Sequence, residues 1–168
     1  NKVTVWSSVP SVINRIKTFK PNEKINTPIK IMFLCGEPLK LDVLNYCLKN
    51  MGIKDVYNFY GLTETGVENL FHKCSIGDLD EFADYGVAPI GKPLSGNLVK
   101  TTDERELYIG GCQVTPGYLR NRSPEKFETV SNIKWCKTGD IVEQHGDVYI
   151  CKGRVDAQVK LSGYRVEL

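Results

Sequence analysis

Short apolar runs separated by turn residues dominate the first sixty positions of the chain. The runs Val3–Ser7, Lys30–Cys35 and Asp55–Phe59 are rich in apolar and β-branched residues, and they predict three strands. The second run is long enough to be buried on both faces of a sheet. Between the second and third runs, apolar residues recur at helical spacing over Leu41–Met51, and Gly52 is expected to end that helix.

Strand, helix and strand joined by short links form a βαβ unit, so these strands are predicted to be parallel. Each predicted strand ends in small or polar residues, namely Ser7-Ser8, Gly36-Glu37 and Tyr60-Gly61. Ligands of open parallel sheets bind just beyond the carboxyl ends of the strands. A small-molecule site is therefore expected where Gly36 and Gly61 meet.

The second half of the chain has a different pattern. A polar loop rich in glycine and proline runs to Gly96, and short strands are predicted near 97–101, 106–109, 133–136, 141–143 and 147–152. Many short strands with glycine turns indicate a small barrel or sandwich. The predicted fold class is therefore α/β, with a parallel, helix-layered sheet over residues 1–85 followed by a small β-barrel-like unit over residues 86–155.

Composition narrows the possible functions. The 168 residues carry 22 Lys+Arg against 20 Asp+Glu, a net charge of +2, with 41% hydrophobic residues, as in ordinary globular proteins. No apolar run approaches the length of about 18 residues that a membrane span needs, and no block of like charge indicates nucleic-acid or membrane-surface binding. The acidic stretch Asp78–Asp84 lacks calcium-loop spacing and is expected to be solvated.

The six cysteines are expected to be reduced and buried, because several lie inside apolar runs, and a cytoplasmic location is expected for the same reason. There is no C-x-x-C pair, and His72 has no acidic or cysteine partner visible in the sequence. A zinc site is therefore not expected.

The stretch Asn58–Glu64 combines an aromatic residue, a glycine, a hydroxyl and a carboxylate after a predicted strand. An aromatic ring can stack on a heterocycle, glycine allows close approach to phosphate, and a lone carboxylate suits Mg²⁺. A plain turn with Thr63 capping a short helix explains the stretch equally well. Further along, Asp140 ends Lys137–Asp140 and could accept both hydroxyls of a ribose, although an aspartate in a turn is common.

Taken in order, four motifs resemble those of the adenylate-forming (AMP-binding, ANL) superfamily, and the resemblance extends from Val3 to Leu168. Tyr60–Glu64 resembles Y-G-x-T-E, and Glu106–Gly111 with Gly117-Tyr118 resembles E-L-x-I-x-G…G-Y. Lys137–Asp140 resembles K-T-G-D, and Gly153–Lys160 resembles the G-R-x-D-x-Q-V-K hinge. Asn58, the turn at 7–11 and the segment 160–168 are most like amino-acid-activating members, which are peptide-synthetase adenylation domains and D-alanine–carrier protein ligases.

The resemblance implies an activity in two steps. ATP and a small carboxylic acid, here an amino acid, would give an acyl-adenylate and pyrophosphate, and the acyl group would pass to the phosphopantetheine thiol of a carrier protein. The implied cofactors are ATP/AMP and Mg²⁺. Thr63 and Glu64 would be catalytic, with Thr63 on phosphate and Glu64 holding Mg²⁺.

The resemblance also assigns binding residues. Tyr60 would stack on adenine, Asn58 would contact the adenine edge, and Asp140 would accept the ribose hydroxyls. The implied nucleotide-binding residues are Gly36, Glu37, Pro38, Asn58, Phe59, Tyr60, Gly61, Leu62, Thr63, Asp140 and Arg154. The implied acid pocket is lined by Ser7, Phe33, Cys35, Phe59 and Val67. Asp156 matches the family's hinge, so that 156–168 would be the hinge and the beginning of a C-terminal domain.

Some features depart from the family pattern. Leu62 stands where amino-acid-activating members usually carry proline. The upstream phosphate loop, the acidic residue for the substrate ammonium and the C-terminal lysine are not in the chain, so we do not expect this fragment to catalyse adenylation unaided. Two alternatives are a fatty- or aryl-acid–CoA ligase of the same superfamily and a non-catalytic module that binds nucleotide or a carrier protein.

Overall fold

The structure is a computed structural model that describes residues 3–156, 158–161 and 164–167. Its helices are α1 (Pro10–Phe19), α2 (Leu41–Asn45, continued by a π-helical turn at Tyr46–Asn50) and α3 (Asp78–Glu81). Its strands are β1 (Val5–Ser8), β2 (Ile31–Leu34), β3 (Asp55–Tyr60), β4 (Leu70–Cys74), β5 (Lys92–Pro93), β6 (Leu98–Thr101), β7 (Glu106–Gly110), β8 (Phe127–Val130), β9 (Ile133–His145), β10 (Val148–Arg154), β11 (Gln158–Leu161) and β12 (Tyr164–Glu167).

The first sheet has the strand order β1-β2-β3-β4-β5. Its first three strands are parallel, as predicted, with Ser7 beside Phe33 and Phe33 beside Tyr57. The antiparallel strands β4 and β5 were not predicted. Helices α1 and α2 bury their apolar sides against the sheet, and the resulting core includes Ile13, Met32, Leu34, Val43, Leu44 and Val56. The α/β prediction for this half is therefore confirmed.

The expectation that the second strand is buried on both faces was wrong. Met32 and Leu34 are fully buried, whereas Ile31 and Phe33 are only partly buried. Both helices α1 and α2 contribute to the core on the Met32 side, and on the opposite face Phe33 contacts other rings instead. Phe33 lies 5.6 Å from Tyr57 and 5.5 Å from Phe59 between ring centroids, so this face is aromatic and partly buried.

The second sheet is antiparallel, with the order β10-β9-β7-β6 and with β8 also paired to β9. It curls into a half-barrel, which confirms the prediction of a small barrel-like unit. The two strands predicted at 133–136 and 141–143 form a single strand, β9. Gly139 adopts φ +76° within it, which lets the strand bend without ending. One part of β9 therefore pairs with β7 and β8 and the other part with β10.

A shared core and a short backbone bridge join the two sheets. The core cluster combines Tyr60, Leu70 and Ile90 from the first half of the chain with Leu107, Ile109 and Val142 from the second. Tyr149 accepts a hydrogen bond from the backbone N–H of Ile90 at 2.8 Å and donates one to the carbonyl of Gly91 at 2.8 Å. The carboxyl end of β3 is consequently held against the half-barrel.

The strands β11 and β12, near the end of the chain, pair antiparallel. Four residues of the predicted hinge motif and of the segment after it lie outside the described residues, namely Ala157, Ser162, Gly163 and Leu168.

In the acidic stretch, Asp78 is 5% exposed rather than solvated, because it accepts hydrogen bonds within the turn that begins α3. Within the described part of the chain, each helix is too short or too polar to cross a membrane.

Gly91 offers a test of the junction. It adopts φ +85°, and a Cβ there would lie 1.8 Å from the carbonyl oxygen of Phe71. Gly96 has the same φ, but a Cβ there would meet nothing within 4 Å, so it is a matched control. We expect Gly96→Ala to lower the free energy of unfolding by about 1–2 kcal/mol through backbone strain alone. Gly91→Ala should cost about 1–3 kcal/mol more, because its clash is with backbone.

The measurement is denaturant unfolding of both variants beside the parent protein. Equal losses for Gly91→Ala and Gly96→Ala would show that the close approach of Gly91 to β4 does not constrain the junction.

Candidate functional site

A cavity of about 640 Å³ lies where the carboxyl ends of β2 and β3 face strand β10. Its position agrees with the expected site beyond the ends of the parallel strands. Of the residues singled out from the sequence, those that line it are Gly36, Glu37, Pro38, Asn58, Phe59, Tyr60, Gly61, Asp140, Arg154 and Asp156. Leu62 and Thr63 do not line it. The structure thus brings together residues up to 120 positions apart (36 to 156) around one volume.

Asn58 carries a buried acceptor at the cavity wall. Its side chain is in β3 and is 2% exposed, and its Nδ2 donates a 2.7 Å hydrogen bond to the carbonyl of Pro89. Its Oδ1 has no hydrogen-bond partner among the described residues. A buried polar atom left without a partner costs about 1–3 kcal/mol. A ligand that donates a hydrogen bond at this wall would remove that cost.

Tyr60 and Asp140 connect the two sheets across the cavity. The Tyr60 hydroxyl donates a 2.5 Å hydrogen bond to Oδ2 of Asp140, and both side chains are buried. Burial, together with the negative charge of Asp140, raises the pKa of Tyr60 well above its usual value. The phenol therefore stays protonated and keeps donating to the carboxylate.

Arg154 compensates the charge of Asp140 from the side of β10. Its guanidinium donates to Oδ1 of Asp140 at 2.6 Å and to Asp156 at 2.7 and 2.8 Å. The hydrogen bond to Asp156, and then the charge of Asp140, raise the pKa of Arg154. A Cβ at Gly139 would lie 2.6 Å from a nitrogen of this guanidinium, so a side chain at this position would displace Arg154. The same arginine thus contacts the predicted ribose ligand and the predicted hinge residue.

Glu37 has a structural contact besides its place in the cavity wall. Its carboxylate accepts a 2.8 Å hydrogen bond from the backbone N–H of Ser11 and a 3.1 Å bond from the Ser11 hydroxyl. These bonds satisfy donors in the first turn of α1, where Val9 provides no side-chain cap. The turn after β2 is therefore fixed to the beginning of α1.

Glu64 lies in the loop that follows β3, beyond the cavity lining. It is 5% exposed and accepts a hydrogen bond from the Tyr118 hydroxyl, and Lys126 Nζ lies 3.5 Å from its Oε1. Tyr118 and Lys126 come from the segment before β8, so these two contacts of Glu64 come from the half of the chain that forms the half-barrel. Thr63 is exposed in a 3₁₀ turn beside it.

The residues predicted for an acid pocket are only partly brought together. Ser7 and Phe33 are neighbours in the β1–β2 register, and the Phe33 ring meets the Phe59 ring. Cys35 follows β2, its backbone N–H bonding to the carbonyl of Ser8. Val67 lies in the loop after β3 with 56% of its surface exposed. Of this set only Phe59 also lines the 640 Å³ cavity.

Sequence reasoning missed part of the cavity wall. The further lining residues are Tyr85, Val87, Ala88, Ile90, Cys151, Lys152 and Gly153. The Tyr85 hydroxyl donates to Glu143 at 2.7 Å, and Lys152 Nζ lies 4.4 Å from the centre of the Tyr85 ring. The position of Lys152 two residues before Arg154 in one strand was the available signal, whereas Tyr85 reaches the cavity only through tertiary packing.

Comparison with known proteins gives consistent results for the family and the fold. The profile of the family described as AMP-binding enzyme matches residues 1–119. D-alanine–D-alanyl carrier protein ligase of Staphylococcus aureus strain Newman is 32% identical over 169 residues, which is 99% of this chain and 34% of that protein. The chain therefore spans about a third of the length of this curated relative.

Two solved structures share the fold. The adenylation domain AlmE of Vibrio cholerae, in complex with glycyl-adenosine-5′-phosphate, superposes with a TM-score of 0.85 at 28% identity, covering 99% of this chain and 34% of that one. PA1221, an NRPS protein containing adenylation and PCP domains, superposes with a TM-score of 0.84 at 24% identity, covering 98% of this chain and 36% of that one. The similarity to PA1221 shows a shared fold alone.

The Asp140–Arg154 pair makes a prediction about stability. The two side chains are 4% and 13% exposed, and removal of one partner from a buried pair costs about 3–5 kcal/mol. Arg154→Gln should lower the free energy of unfolding by that amount, and Arg154→Lys should recover part of it. Arg105→Gln is the control, because Arg105 lies 4.0 Å from Glu143 with 67% of its side chain exposed and should cost less than about 1 kcal/mol.

Denaturant unfolding of the three variants measures these differences. If Arg154→Gln costs no more than Arg105→Gln, the charge of Asp140 is compensated by other groups.

Proposed function

Because the chain belongs to the AMP-binding enzyme family, we propose that its cavity binds ATP and the acyl-adenylate made from it, as part of an AMP-forming ligase. One observation carries the proposal. A single cavity is lined both by Asn58, whose buried amide oxygen has no hydrogen-bond partner among the described residues, and by Asp140, whose carboxylate is buried. The amino group of adenine can donate to the first, and ribose hydroxyls can donate to the second.

The adenine ring is proposed to lie between Tyr60 and the turn Gly36–Pro38. Both line the cavity together with Asn58, and Gly36 adopts φ +84° in that turn, a conformation that favours glycine. The carboxylate of Glu37 is already bonded to Ser11, so we assign to Glu37 the role of wall rather than of hydrogen-bonding partner.

The ribose is proposed to bind Asp140. Each oxygen of this carboxylate accepts one protein hydrogen bond, from Tyr60 or from Arg154. An ionised carboxylate has about four acceptor sites, so two ribose hydroxyls can be added without breaking either bond. The arrangement of Tyr60, Asp140 and Arg154 is therefore suited to the nucleotide.

The phosphates are proposed to extend toward Thr63 and Glu64. Glu64 fits a Mg²⁺ ligand, since it is a buried carboxylate with a hydroxyl donor on Tyr118, and Mg²⁺ commonly takes one or two carboxylates plus phosphate and water oxygens. The ion would neutralise negative charge that develops on the phosphates. Thr63, exposed beside it, would donate its hydroxyl to a phosphate oxygen.

The activated acid is proposed to be a small amino acid, and the acceptor is proposed to be the phosphopantetheine thiol of a carrier protein. The curated relative is a ligase for D-alanine and its carrier protein, and the Vibrio cholerae domain binds a glycyl-adenylate. The names of these two proteins support a short side chain on the activated amino acid. The contact between Phe33 and Phe59 supports an acid pocket with an apolar wall.

In the proposed reaction, a carboxylate oxygen of the acid attacks the α-phosphorus of ATP and pyrophosphate leaves. The carrier thiol then attacks the acyl carbon, a thioester forms and AMP leaves. Asp140 and Arg154 would hold the nucleotide through both steps, and Asp156, bonded to Arg154, would be the hinge for a domain that follows.

The test is ATP–pyrophosphate exchange by the complete polypeptide that contains this chain, with a panel of amino acids beside fatty and aryl acids. Exchange that depends on glycine, alanine or another small amino acid is the expected result. Exchange with fatty or aryl acids alone would favour an acid–CoA ligase. If ATP binds but no acid supports exchange, the proposed ligase activity is wrong and a nucleotide-binding module remains.

Glu64 gives a sharper prediction. Glu64→Gln keeps the shape of the side chain but removes its charge, so the apparent Mg²⁺ affinity in the exchange assay should fall at least about tenfold. Glu68→Gln is the matched control, because Glu68 is exposed in the same loop. An unchanged Mg²⁺ dependence in Glu64→Gln would remove Glu64 from the metal site while leaving the nucleotide assignments intact.

A further inference from the structure

Three potential metal ligands meet at the end of β4, and none of them lines the cavity. His72 and Cys74 alternate with the exposed Lys73, so they lie on the same side of the strand, and Asp78 begins α3 after a short turn. The expectation that His72 has no acidic or cysteine partner was therefore wrong. The tight turn between β4 and α3 returns the chain to the strand within four residues.

The ligand atoms are already close to the spacing of a metal site. One histidine ring nitrogen, the Cys74 Sγ and one Asp78 oxygen all lie within 4.8 Å of one another, and Nε2 of His72 is 2.8 Å from Oδ2 of Asp78. Tetrahedral zinc with its usual bond lengths would place such atoms about 3.3–3.6 Å apart. The nitrogen and oxygen would need to separate by about half an ångström, and the sulfur would need to approach by no more than about 1 Å.

The donor set is chemically selective. A nitrogen, a sulfur and an oxygen ligand suit Zn²⁺, whereas Mg²⁺ and Ca²⁺ prefer oxygen alone. A thiolate and a carboxylate would balance the charge of the ion in a place where His72, Cys74 and Asp78 are largely buried. We propose that His72, Cys74 and Asp78 form a Zn²⁺ site with water as the fourth ligand. This proposal is independent of the proposed function.

The groups around the cluster are compatible with an ion. Asp78 accepts hydrogen bonds from the backbone and hydroxyl of Ser75, at 3.1 Å each, besides its contact with His72. These bonds hold the carboxylate in place and leave a lone pair for a metal. Phe82 packs edge-on against the His72 ring at 6.2 Å between centroids, which orients the imidazole. The ion would replace the His72–Asp78 hydrogen bond and the bond that the Cys74 thiol donates to the His72 carbonyl at 3.9 Å.

Zn²⁺ here would reinforce the wall of the cavity. His72 is the register partner of Asn58 across β3 and β4, and α3 leads within a few residues to Tyr85, which lines the cavity. Phe82, between α3 and Tyr85, contacts both His72 and Tyr85. An ion that fixes α3 to β4 would therefore fix both Asn58 and Tyr85 in position.

The test uses the complete, tag-free polypeptide, freed of metal with a chelator and titrated with ZnCl₂ alone by calorimetry. We expect one Zn²⁺ ion to bind per chain with a dissociation constant below about 1 μM. This binding should be lost in Cys74→Ser and in His72→Gln. Cys112→Ser and His145→Gln are matched controls, since Cys112 is an exposed cysteine and His145 is the other histidine. Both control variants should still bind one Zn²⁺ ion.

Two further measurements test the proposal if a variant is unstable. Co²⁺ bound by the parent protein should show a thiolate-to-metal charge-transfer band that Cys74→Ser lacks, and Zn²⁺ should raise the melting temperature of the parent but not of folded Cys74→Ser. Asp78 is left unchanged, because its bonds to Ser75 also hold the turn. No Zn²⁺ binding below about 10 μM, or equal binding by the parent and both ligand variants, would overturn the proposal.

Discussion

The buried charge of Asp140 is the constraint on which the rest of the cavity depends. A carboxylate that is 3% exposed is tolerated only if it is paired and hydrogen-bonded. Tyr60, at the end of β3, supplies one donor, and Arg154, at the end of β10, supplies the compensating charge. These partners come from two different sheets, so the charge is satisfied only when the sheets are packed together. The bend of β9 at Gly139 and the shared core around Ile90 bring them to that distance.

The compensating groups also fix the chemistry of the site. Because burial, and then the charge of Asp140, hold the pKa of Tyr60 well above its usual value, the phenol remains a donor and keeps Asp140 oriented. Arg154 is shared between Asp140 and Asp156, so the carboxylate in the cavity and the residue matching the hinge are connected through one side chain. A change in the hydrogen bonds of Asp140 would therefore alter the partners available to Asp156.

The sequence predicted those parts of the fold that local patterns determine. Apolar runs and helical spacing located β1, β2, β3 and α2, and the short links between them predicted parallel pairing, which the registers confirm. β4 and β5 were missed for physical reasons. β4 lacks regular alternation of burial, and β5 is only two residues long, including Pro93. β9 was divided because Gly139 resembles a turn in sequence, although a positive φ can also bend a continuous strand.

The same distinction between local sequence patterns and tertiary contacts applies to the candidate site. Asn58, Tyr60, Asp140 and Arg154 stand in recognisable motifs, and the structure brings all four to one cavity. Tyr85 could not be located in this way, because its place depends on how α3 packs. His72 and Asp78 were read separately, since neither forms a motif with the other, and only the turn after β4 places them 2.8 Å apart. Contacts between elements thus determine what local patterns leave open.

The contrast between Asn58 and Asp140 explains why this cavity suits a ligand with several hydrogen-bond donors. Most buried polar groups in folded proteins have partners, and a folded protein tolerates an exception mainly where a function requires it. Asp140 is satisfied in the absence of ligand and still has acceptor capacity, whereas Oδ1 of Asn58 has no partner among the described residues. A ligand gains by supplying the bond that Asn58 lacks, and it binds Asp140 without disrupting the bridge between the sheets. The same fold can therefore be stable before the ligand binds and selective when it does.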